Sequence, residues 1–269
     1  MMKRFFLASL AVAAGLTMTS CDFLTEWLDA LLDGGEDDTE YVDKWAGLVN
    51  ETAYDAVVEG NTLKYGSHTY TIVGEIDPET TEYKTATASV TFSNIPSGLT
   101  EFTAVYEKLL GKSIAGTAAM IPMAMEIYAR KPETGKACFD LLCNSSATVD
   151  GIVRILKDRF IPTEYSPEDD QYIQRFIPAA LLKGATPANA YTPSTPYTVE
   201  MTMSPNGVQD AQLTGGTVTY IYILANGWDT FQRGVEIFLP YNGTQYKVFN
   251  CPSCYTQCKP IQGTWGGLK

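Results

Sequence analysis

The sequence predicts an α+β fold, in which a helical lobe of about five helices follows a β-hairpin and precedes a small antiparallel β-sheet. Three observations support this prediction. Apolar residues alternate with polar ones before residue 98, recur at helical spacing from 99 to 186, and alternate again from 187 to 262. Proline and glycine mark both changes of period, in Pro96-Ser97-Gly98 and in ATPANAYTPSTP.

The chain divides into a targeting region, a tether and a folded body. Roughly 220 residues follow the tether, enough for one large domain or two small ones. The predicted segments are a signal peptide (1–20), an acidic tether (21–45), a β-hairpin region (46–98), a helical lobe (99–186), an antiparallel sheet lobe (187–262) and a tail (263–269).

The amino terminus contains a targeting signal. MMKRFFLASLAVAAGLTMTSC begins with Lys3 and Arg4, continues as an apolar run and ends in small residues before Cys21, the order of a secretory signal peptide. The apolar run is shorter than the roughly 20 residues that span a bilayer. The cysteine after Thr19 and Ser20 resembles a bacterial lipobox. This resemblance implies cleavage before Cys21, a diacylglycerol on its sulfur and an acyl chain such as palmitate on its new amine. The alternative is an ordinary signal peptide followed by a chance cysteine.

The segment after the cysteine is acidic. Residues 22–43 hold nine acids and no base, and the whole chain has a net charge of −12. Nucleic acid is not an expected partner, because its phosphates are recognised by Lys and Arg. Acid-rich residues directly after a lipid-bearing cysteine resemble the surface-export signal of Bacteroidetes lipoproteins. The resemblance implies a cell-envelope protein held on the outer membrane by its lipid, either periplasmic or surface-exposed.

The strand-like runs lie on both sides of the helical region. LKYGSHTYTIVGEID and YKTATASVTFSNI flank the turn residues DPETTE, which predicts a hairpin. Four later runs are YTVEMTMS, TVTYIYILA, RGVEIFLPY and TQYKVFNC, and the turn sequences PNG, NGWDTF and YNG separate them. This order predicts a meandering antiparallel sheet.

The helical region contains the start and stop signals of several helices. The last helix should run from Ser166 to Gly184, and Pro122 should either kink the helix that begins at Ser113 or start a new one. The small residues of SIAGTAAMIPMAMEIYARK predict close packing against neighbouring elements. The predicted N-caps are Thr100, Ser113, Thr148 and Ser166.

The body also resembles a known family. The order of RFIPAALLKGATPANAYTPSTPYTVEM, TYIYILANGWDTFQRGVEIFL and QYKVFNCPSCYTQCKPI is similar to an uncharacterised domain family of exported proteins and lipoproteins in gut bacteria. The resemblance covers roughly residues 60 to 262. It implies a helical lobe joined to a small sheet, and it implies no activity and no functional residues.

Two short signals of catalysis are present, and both are weak. LLGKS ends like a phosphate-binding loop, but Tyr106 stands where that motif needs a glycine, so Gly111 is better interpreted as a helix stop. His68 is the only histidine and would have to be the base of any serine or cysteine hydrolase. A single histidine also excludes zinc sites that need two. No catalytic residue is predicted, although carboxylate pairs for glycan hydrolysis need no sequence signature.

The cysteines allow three interpretations. CPSCYTQC places Cys251, Cys254 and Cys258 within eight residues near the end of the chain. A zinc site commonly uses two paired hooks, and here there is one, while a thioredoxin-like fold would need more chain after the motif. We predict buried structural thiols first, a local disulfide second and a metal last. The predicted sites therefore include no metal and no cofactor. Cys138 and Cys143 are predicted to be buried as small apolar residues.

Aromatic residues of the carboxyl-terminal region are candidates for ligand contact. Trp228 lies in a predicted turn, and Tyr241 and Tyr246 lie on or beside neighbouring strands. Their rings could stack on a sugar or on a protein partner. For Tyr220 and Tyr222 we favour packing of the sheet on the helical lobe.

Two classes of function remain. The first is a non-enzymatic envelope lipoprotein with a structural role, or one that binds a glycan, a peptide or an envelope protein. The second is an extracellular polymer hydrolase that acts on glycans through carboxylates. Exposed aromatic residues would favour the first class. Two carboxylates facing each other in a cleft would favour the second.

Overall fold

The computed structural model describes residues 53–78, 85–166 and 172–262. Cys21, the acidic tether and the tail lie outside the described residues. The strands are β1 (Ala56–Glu59), β2 (Thr62–Tyr65), β3 (His68–Gly74), β4 (Thr87–Phe92), β5 (Tyr197–Ala211), β6 (Gly216–Leu224), β7 (Gln232–Pro240) and β8 (Lys247–Asn250). The helices are α1 (Leu99–Lys108), α2 (Ile114–Arg130), α3 (Pro132–Leu142), α4 (Ser146–Phe160) and α5 (Ile177–Ala180).

All the described strands belong to one antiparallel sheet. Its eight strands follow the chain order from β1 to β8. The predicted hairpin and the predicted carboxyl-terminal sheet meet where β4 pairs with β5, from Thr87 opposite Thr202 to Phe92 opposite Tyr197. The α+β class is therefore confirmed, and the sheet is larger than the small sheet predicted. The chain leaves the sheet after β4, forms the helices, and returns to the sheet at β5.

The core lies between the helices and one face of the sheet. On β4, Ala88, Val90 and Phe92 are buried and their neighbours are not, as expected for a strand with one solvated face. The central helix α2 is buried along nearly its whole length. Its small residues permit the predicted close packing, and α3 approaches it so closely that a Cβ on Gly135 would lie 2.2 Å from the Tyr128 Cα. Pro122 lies inside α2 without starting a new helix.

The observed N-caps of the helices agree only in part with the predicted ones. Ser113 caps α2, and its hydroxyl accepts a hydrogen bond from the Gly116 N–H at 2.9 Å. The cap of α4 is Ser145, three residues before the predicted Thr148. The cap of α1 is Gly98, which has no side chain to accept the free N–H groups of the first turn. That turn is joined to neighbouring residues through Glu101, as described below.

The long helix predicted from Ser166 to Gly184 is wrong within the described residues. Only Ile177–Ala180 is helical, and residues 172–176 form turns and irregular structure. Pro178 lies in the first turn of α5, where its missing N–H costs nothing. In the interior of a helix running from Ser166, it would instead lose a hydrogen bond to residue 174, and its ring would clash with that carbonyl. Gln174 adds a second constraint, because its side chain exchanges two hydrogen bonds with the backbone of Cys258, at 3.0 and 2.7 Å.

Within the described part of the chain, the longest helix, α2, has 17 residues, whereas a membrane span takes about 20 residues. None of the helices there has the length and apolar character needed to cross a bilayer.

Candidate functional site

The carboxyl-terminal cysteines are buried in the core. Cys251, Cys254 and Cys258 are free thiols, and after β8 the chain makes a 3₁₀ turn in which the Cys254 N–H donates to the Cys251 carbonyl at 3.0 Å. Burial raises the pKa of Cys254 to about 12 and raises the pKa values of Cys251 and Cys258 well above the ordinary range. Thiolates are the reactive and metal-binding form of cysteine, and burial disfavours that form in all three residues.

The other two described cysteines are also part of the packing. Cys138 and Cys143 are free and buried, as predicted. Burial raises the pKa of Cys143 to about 12. Among residues 53–78, 85–166 and 172–262, no group of three or more His, Cys, Asp or Glu side chains is placed to hold a metal.

The segment LLGKS is structural. Gly111 lies in a 3₁₀ turn between α1 and α2, and a Cβ there would fall 2.6 Å from the ring of Tyr106. The glycine thus permits close packing of the Tyr106 ring. α1, rather than a strand, leads into the turn, whereas the phosphate-binding motif follows a strand.

A buried carboxylate organises the first turn of α1. Glu101 is 1% exposed, and four polar atoms lie within hydrogen-bonding distance of its carboxylate. Its Oε1 accepts from the Tyr70 hydroxyl at 2.7 Å and lies 2.7 Å from the His68 Nδ1, while its Oε2 accepts from the Ser97 N–H at 2.8 Å and the Ser97 hydroxyl at 2.9 Å. We call these four residues the Glu101 cluster.

The Glu101 cluster leaves few free groups for catalysis. A carboxylate has about four lone-pair sites, and here all of them are used. His68 is oriented by a carboxylate, as a catalytic histidine is. Within the described part of the chain, however, no serine or cysteine hydrogen-bonds to its Nε2. Glu101 thus joins the start of α1, where the Gly98 cap offers no side chain, to β3. The sequence indicated only an acid in a first helical turn, with no sign of these partners.

The aromatic candidates do not come together. Trp228 is only 8% exposed, with the Arg233 guanidinium 4.9 Å from its ring centre and its Nε1–H donating to the Thr256 carbonyl at 3.3 Å. The predicted turn that carries Trp228 folds against the segment around Thr256, which covers this candidate for ligand contact. Tyr241 is 57% exposed and its hydroxyl donates to Asp210.

Tyr246 and the tyrosines of β6 have structural surroundings. Tyr246 is half-buried at the junction of α1 and α2, where its N–H donates to the Gly111 carbonyl at 2.7 Å and its carbonyl accepts from the Tyr106 hydroxyl at 2.7 Å. Tyr220 and Tyr222 are half-buried and alternate with the fully buried isoleucines of β6. They lie on the sheet face opposite those isoleucines, so the predicted packing of both tyrosines on the helices is wrong.

One cavity contains two carboxylates. It has a volume of about 290 Å³ and lies between the end of β3 and the start of α2. Glu75, Asp77, Lys112 and Tyr246 are among its lining residues. Glu75 is exposed to solvent, and Asp77 is half-buried. We call it the carboxylate cavity.

A larger cavity, which we call the end groove, has no charged side chain in its wall. Its volume is about 460 Å³, and it lies between the first turns of α4, the end of β8 and the turn that precedes β6. Hydrogen bonds join these walls, since the Thr148 hydroxyl donates to the Phe249 carbonyl at 3.1 Å. The lining residues are Asn144, Ser145, Ala147, Thr148, Gly151, Thr214, Phe249, Asn250 and Tyr255.

The polar groups of the end groove differ in how far they are satisfied. Ser145 is committed to the helix cap, where its hydroxyl accepts from the Thr148 N–H at 3.2 Å. In contrast, within the described residues neither the Tyr255 hydroxyl nor the Asn250 side-chain amide has a hydrogen-bond partner. Tyr255 is only 6% exposed, yet its hydroxyl is not among the enclosed atoms that lack a partner. The hydroxyl is therefore in contact with solvent, and Tyr255 is one of the residues that line the groove.

One predicted aromatic, Tyr241, lies near the end groove without lining it. The Tyr241 N–H donates to the Gly215 carbonyl at 3.0 Å, which places Tyr241 beside Thr214. Leu213, the residue before Thr214, is fully exposed. The sequence did not reveal the groove itself, because Phe249 and Asn250 belonged to an ordinary strand pattern and Tyr255 lay among the cysteines. Only the turn signals near residue 242 indicated a surface at this end.

Comparison with known proteins places the chain in a family. A model described as a domain of unknown function (DUF6935) matches residues 94–262. The chain belongs to this family. No curated protein and no solved structure matches. The DUF6935 match includes the end groove and Glu101 but begins after β4, although β4 is hydrogen-bonded to β5 and β3 supplies His68 and Tyr70 to the Glu101 cluster.

Proposed function

We propose that this DUF6935 protein is a lipoprotein of the bacterial cell envelope, held on the outer membrane through Cys21, with a non-enzymatic binding role. The signal peptide, the lipobox-like cysteine and the acidic tether support the anchor. The family description carries no activity, so the binding role rests on the surface of the folded body.

The end groove is the observation that supports a binding role. It is larger than the carboxylate cavity, at about 460 Å³ against about 290 Å³, and small-molecule sites occupy roughly 300–1,000 Å³. A few convergent polar groups in a partly apolar wall are typical of such sites. The groove holds no carboxylate and no histidine, which favours binding over general acid–base catalysis.

The anchor is tested by Cys21→Ser in the native host. Serine lacks the thiol that accepts the diacylglycerol, so the variant should lose labelling by a palmitate analogue and leave the membrane fraction or stay unprocessed. Wild-type protein, labelled in parallel, is the control. A variant that remains in the membrane fraction at the mature mass would contradict the lipoprotein proposal.

A glycan hydrolase is the second candidate, because the carboxylate cavity brings Glu75 and Asp77 into one wall. Two carboxyl groups are the usual catalytic pair of such enzymes. Two observations weigh against it: Glu75 is solvated, and Lys112 lines the same cavity. Hydrolysis of a polysaccharide that Glu75→Gln and Asp77→Asn each abolish, with Glu59→Gln as an exposed control, would favour the enzyme over the binding protein.

A further inference from the structure

The uncharged wall of the end groove restricts its ligand. The chain holds 31 acidic and 19 basic residues, yet none of the nine lining residues is charged. A phosphate, sulfate or carboxylate group would be recognised by Arg or Lys, and an amine by a carboxylate or an aromatic cage. A neutral ligand can give up its water here without leaving a charge unpaired.

The unsatisfied groups of the end groove define the polar chemistry of that ligand. Within the described part of the chain, the Tyr255 hydroxyl and the Asn250 amide have no hydrogen-bond partner, and both line the groove. A hydroxyl both donates and accepts, and a primary amide offers two donors and an acceptor. Burial raises the pKa of Tyr255, so its hydroxyl remains a neutral donor at physiological pH. Ligand hydroxyl groups complement both side chains, because each also donates and accepts.

The wall also offers an apolar surface. Phe249 lines the groove and is half-buried, with its ring held by the ring of Phe238 at a centroid distance of 6.0 Å. An aromatic ring contributes a large apolar area at a fixed orientation. A pyranose ring has C–H groups to lie on such a surface and hydroxyl groups at its edge to reach Tyr255 and Asn250.

We propose that the end groove binds a neutral oligosaccharide. This inference rests on the binding role proposed above and specifies its ligand. A peptide fits less well. Peptides commonly add to a sheet through a free strand edge, and here Cys143 and Asn144 already occupy the edge of β8 at Val248.

Gly151 provides a way to close the groove. It lies in α4 and lines the groove, and a Cβ at this position would meet no atom within 4 Å. A larger side chain there should fill the groove without disturbing the core. Replacing a helical glycine also favours the helix by up to roughly 1 kcal/mol, so the thermal unfolding temperature of Gly151→Leu should not fall.

The experiment uses full-length protein purified in detergent. An array of defined oligosaccharides, namely neutral, uronic-acid-containing and sulfated ones, is probed together with a peptide library, and calorimetry measures Kd for each hit. We expect neutral oligosaccharides to bind. Gly151→Leu should raise Kd about tenfold or more, equivalent to 1.4 kcal/mol, and Gly151→Ala should raise it less. Lys157→Leu, an exposed position on the same helix, should leave Kd unchanged.

The outcomes separate this inference from the proposed binding role. If only acidic glycans or peptides bind, and Gly151→Leu prevents that binding, the oligosaccharide inference is wrong and the groove remains the binding site. If no probe binds, or if Gly151→Leu binds as wild type does, the groove is not the site and both proposals are wrong.

Discussion

The Glu101 cluster and the end groove are both built on the first turn of a helix packed against a strand, but they differ in hydrogen bonding. In the Glu101 cluster, both carboxylate oxygens are fully used by Ser97, His68 and Tyr70. In the end groove, the described structure leaves two polar side chains without partners. Buried polar groups normally find partners inside the protein. Asn250 and Tyr255 both line the end groove, so an external ligand there can supply the missing partners.

Tyr70 and Tyr255 illustrate this difference in hydrogen bonding. Both are largely buried, at 0% exposure for Tyr70 and 6% for Tyr255. The Tyr70 hydroxyl donates to Glu101 at 2.7 Å, whereas the Tyr255 hydroxyl has no partner among the described residues. The first hydroxyl should contribute to folding and the second to binding.

The largest expected effect comes from removing the strands that precede the DUF6935 match. A fragment of residues 94–262 should not fold, because it loses β1–β4, exposes the edge of β5 and leaves Glu101 without His68 and Tyr70. A fragment of residues 53–262 keeps these strands and should fold. Circular dichroism and amide exchange would distinguish the two. A cooperatively folded 94–262 fragment would show that the Glu101 cluster does not hold the fold together.

The next largest effect is expected for Glu101→Ala. It leaves the buried donors of Tyr70 and Ser97 unsatisfied, and the free energy of unfolding should fall by about 3 kcal/mol or more. Glu107→Ala is the matched control, since Glu107 is exposed on the same helix, and it should change stability by about 0.5 kcal/mol or less. Chemical denaturation measures both. Equal effects of the two substitutions would mean that the cluster is no more than a surface interaction.

The buried thiols predict a third effect, a loss of stability in alkali. An unfolded cysteine loses its proton near pH 9.0, whereas Cys143 and Cys254 retain theirs in the folded state until about pH 12. Between these values the folded state binds more protons, so the free energy of unfolding should fall as pH rises from 9 to 12. The raised pKa of Tyr106 acts in the same direction.

Cys254→Ala measures how much one thiol contributes to the loss of stability in alkali. It removes one titrating group, so its stability should decline less steeply over this pH range. Denaturant titrations at pH 8, 9, 10 and 11 measure both slopes. An identical slope in the variant would show that Cys254 is not held protonated by burial. Tyr255 in the wall of the end groove also contributes, because burial raises its pKa in the folded state and its proton is lost more easily from the unfolded chain.

The sequence predicted what depends on neighbouring residues and missed what depends on distant ones. The Ser113 cap and the alternation of β4 are local, and both were found. The partners of Glu101 lie as far as 33 residues away, and the end groove joins α4 to β8 across 101 residues. Trp228 was a candidate for ligand contact because it lies in a predicted turn, and the later segment around Thr256 covers it. These features depend on packing between residues that are far apart in the chain, and local sequence patterns do not predict it.

The most direct test deletes one hydroxyl from each region. Tyr70→Phe and Tyr255→Phe remove the same atom, and their unfolding free energies and oligosaccharide Kd values are measured side by side. Tyr70→Phe should lower the unfolding free energy by about 1.5–3 kcal/mol, because it removes a hydrogen bond to a buried carboxylate. Its Kd should match that of wild type. Tyr255→Phe should change stability by about 0.5 kcal/mol or less and weaken binding about tenfold. A large stability loss in Tyr255→Phe, with binding unchanged, would show that its hydroxyl serves the fold and that the end groove is not a binding site.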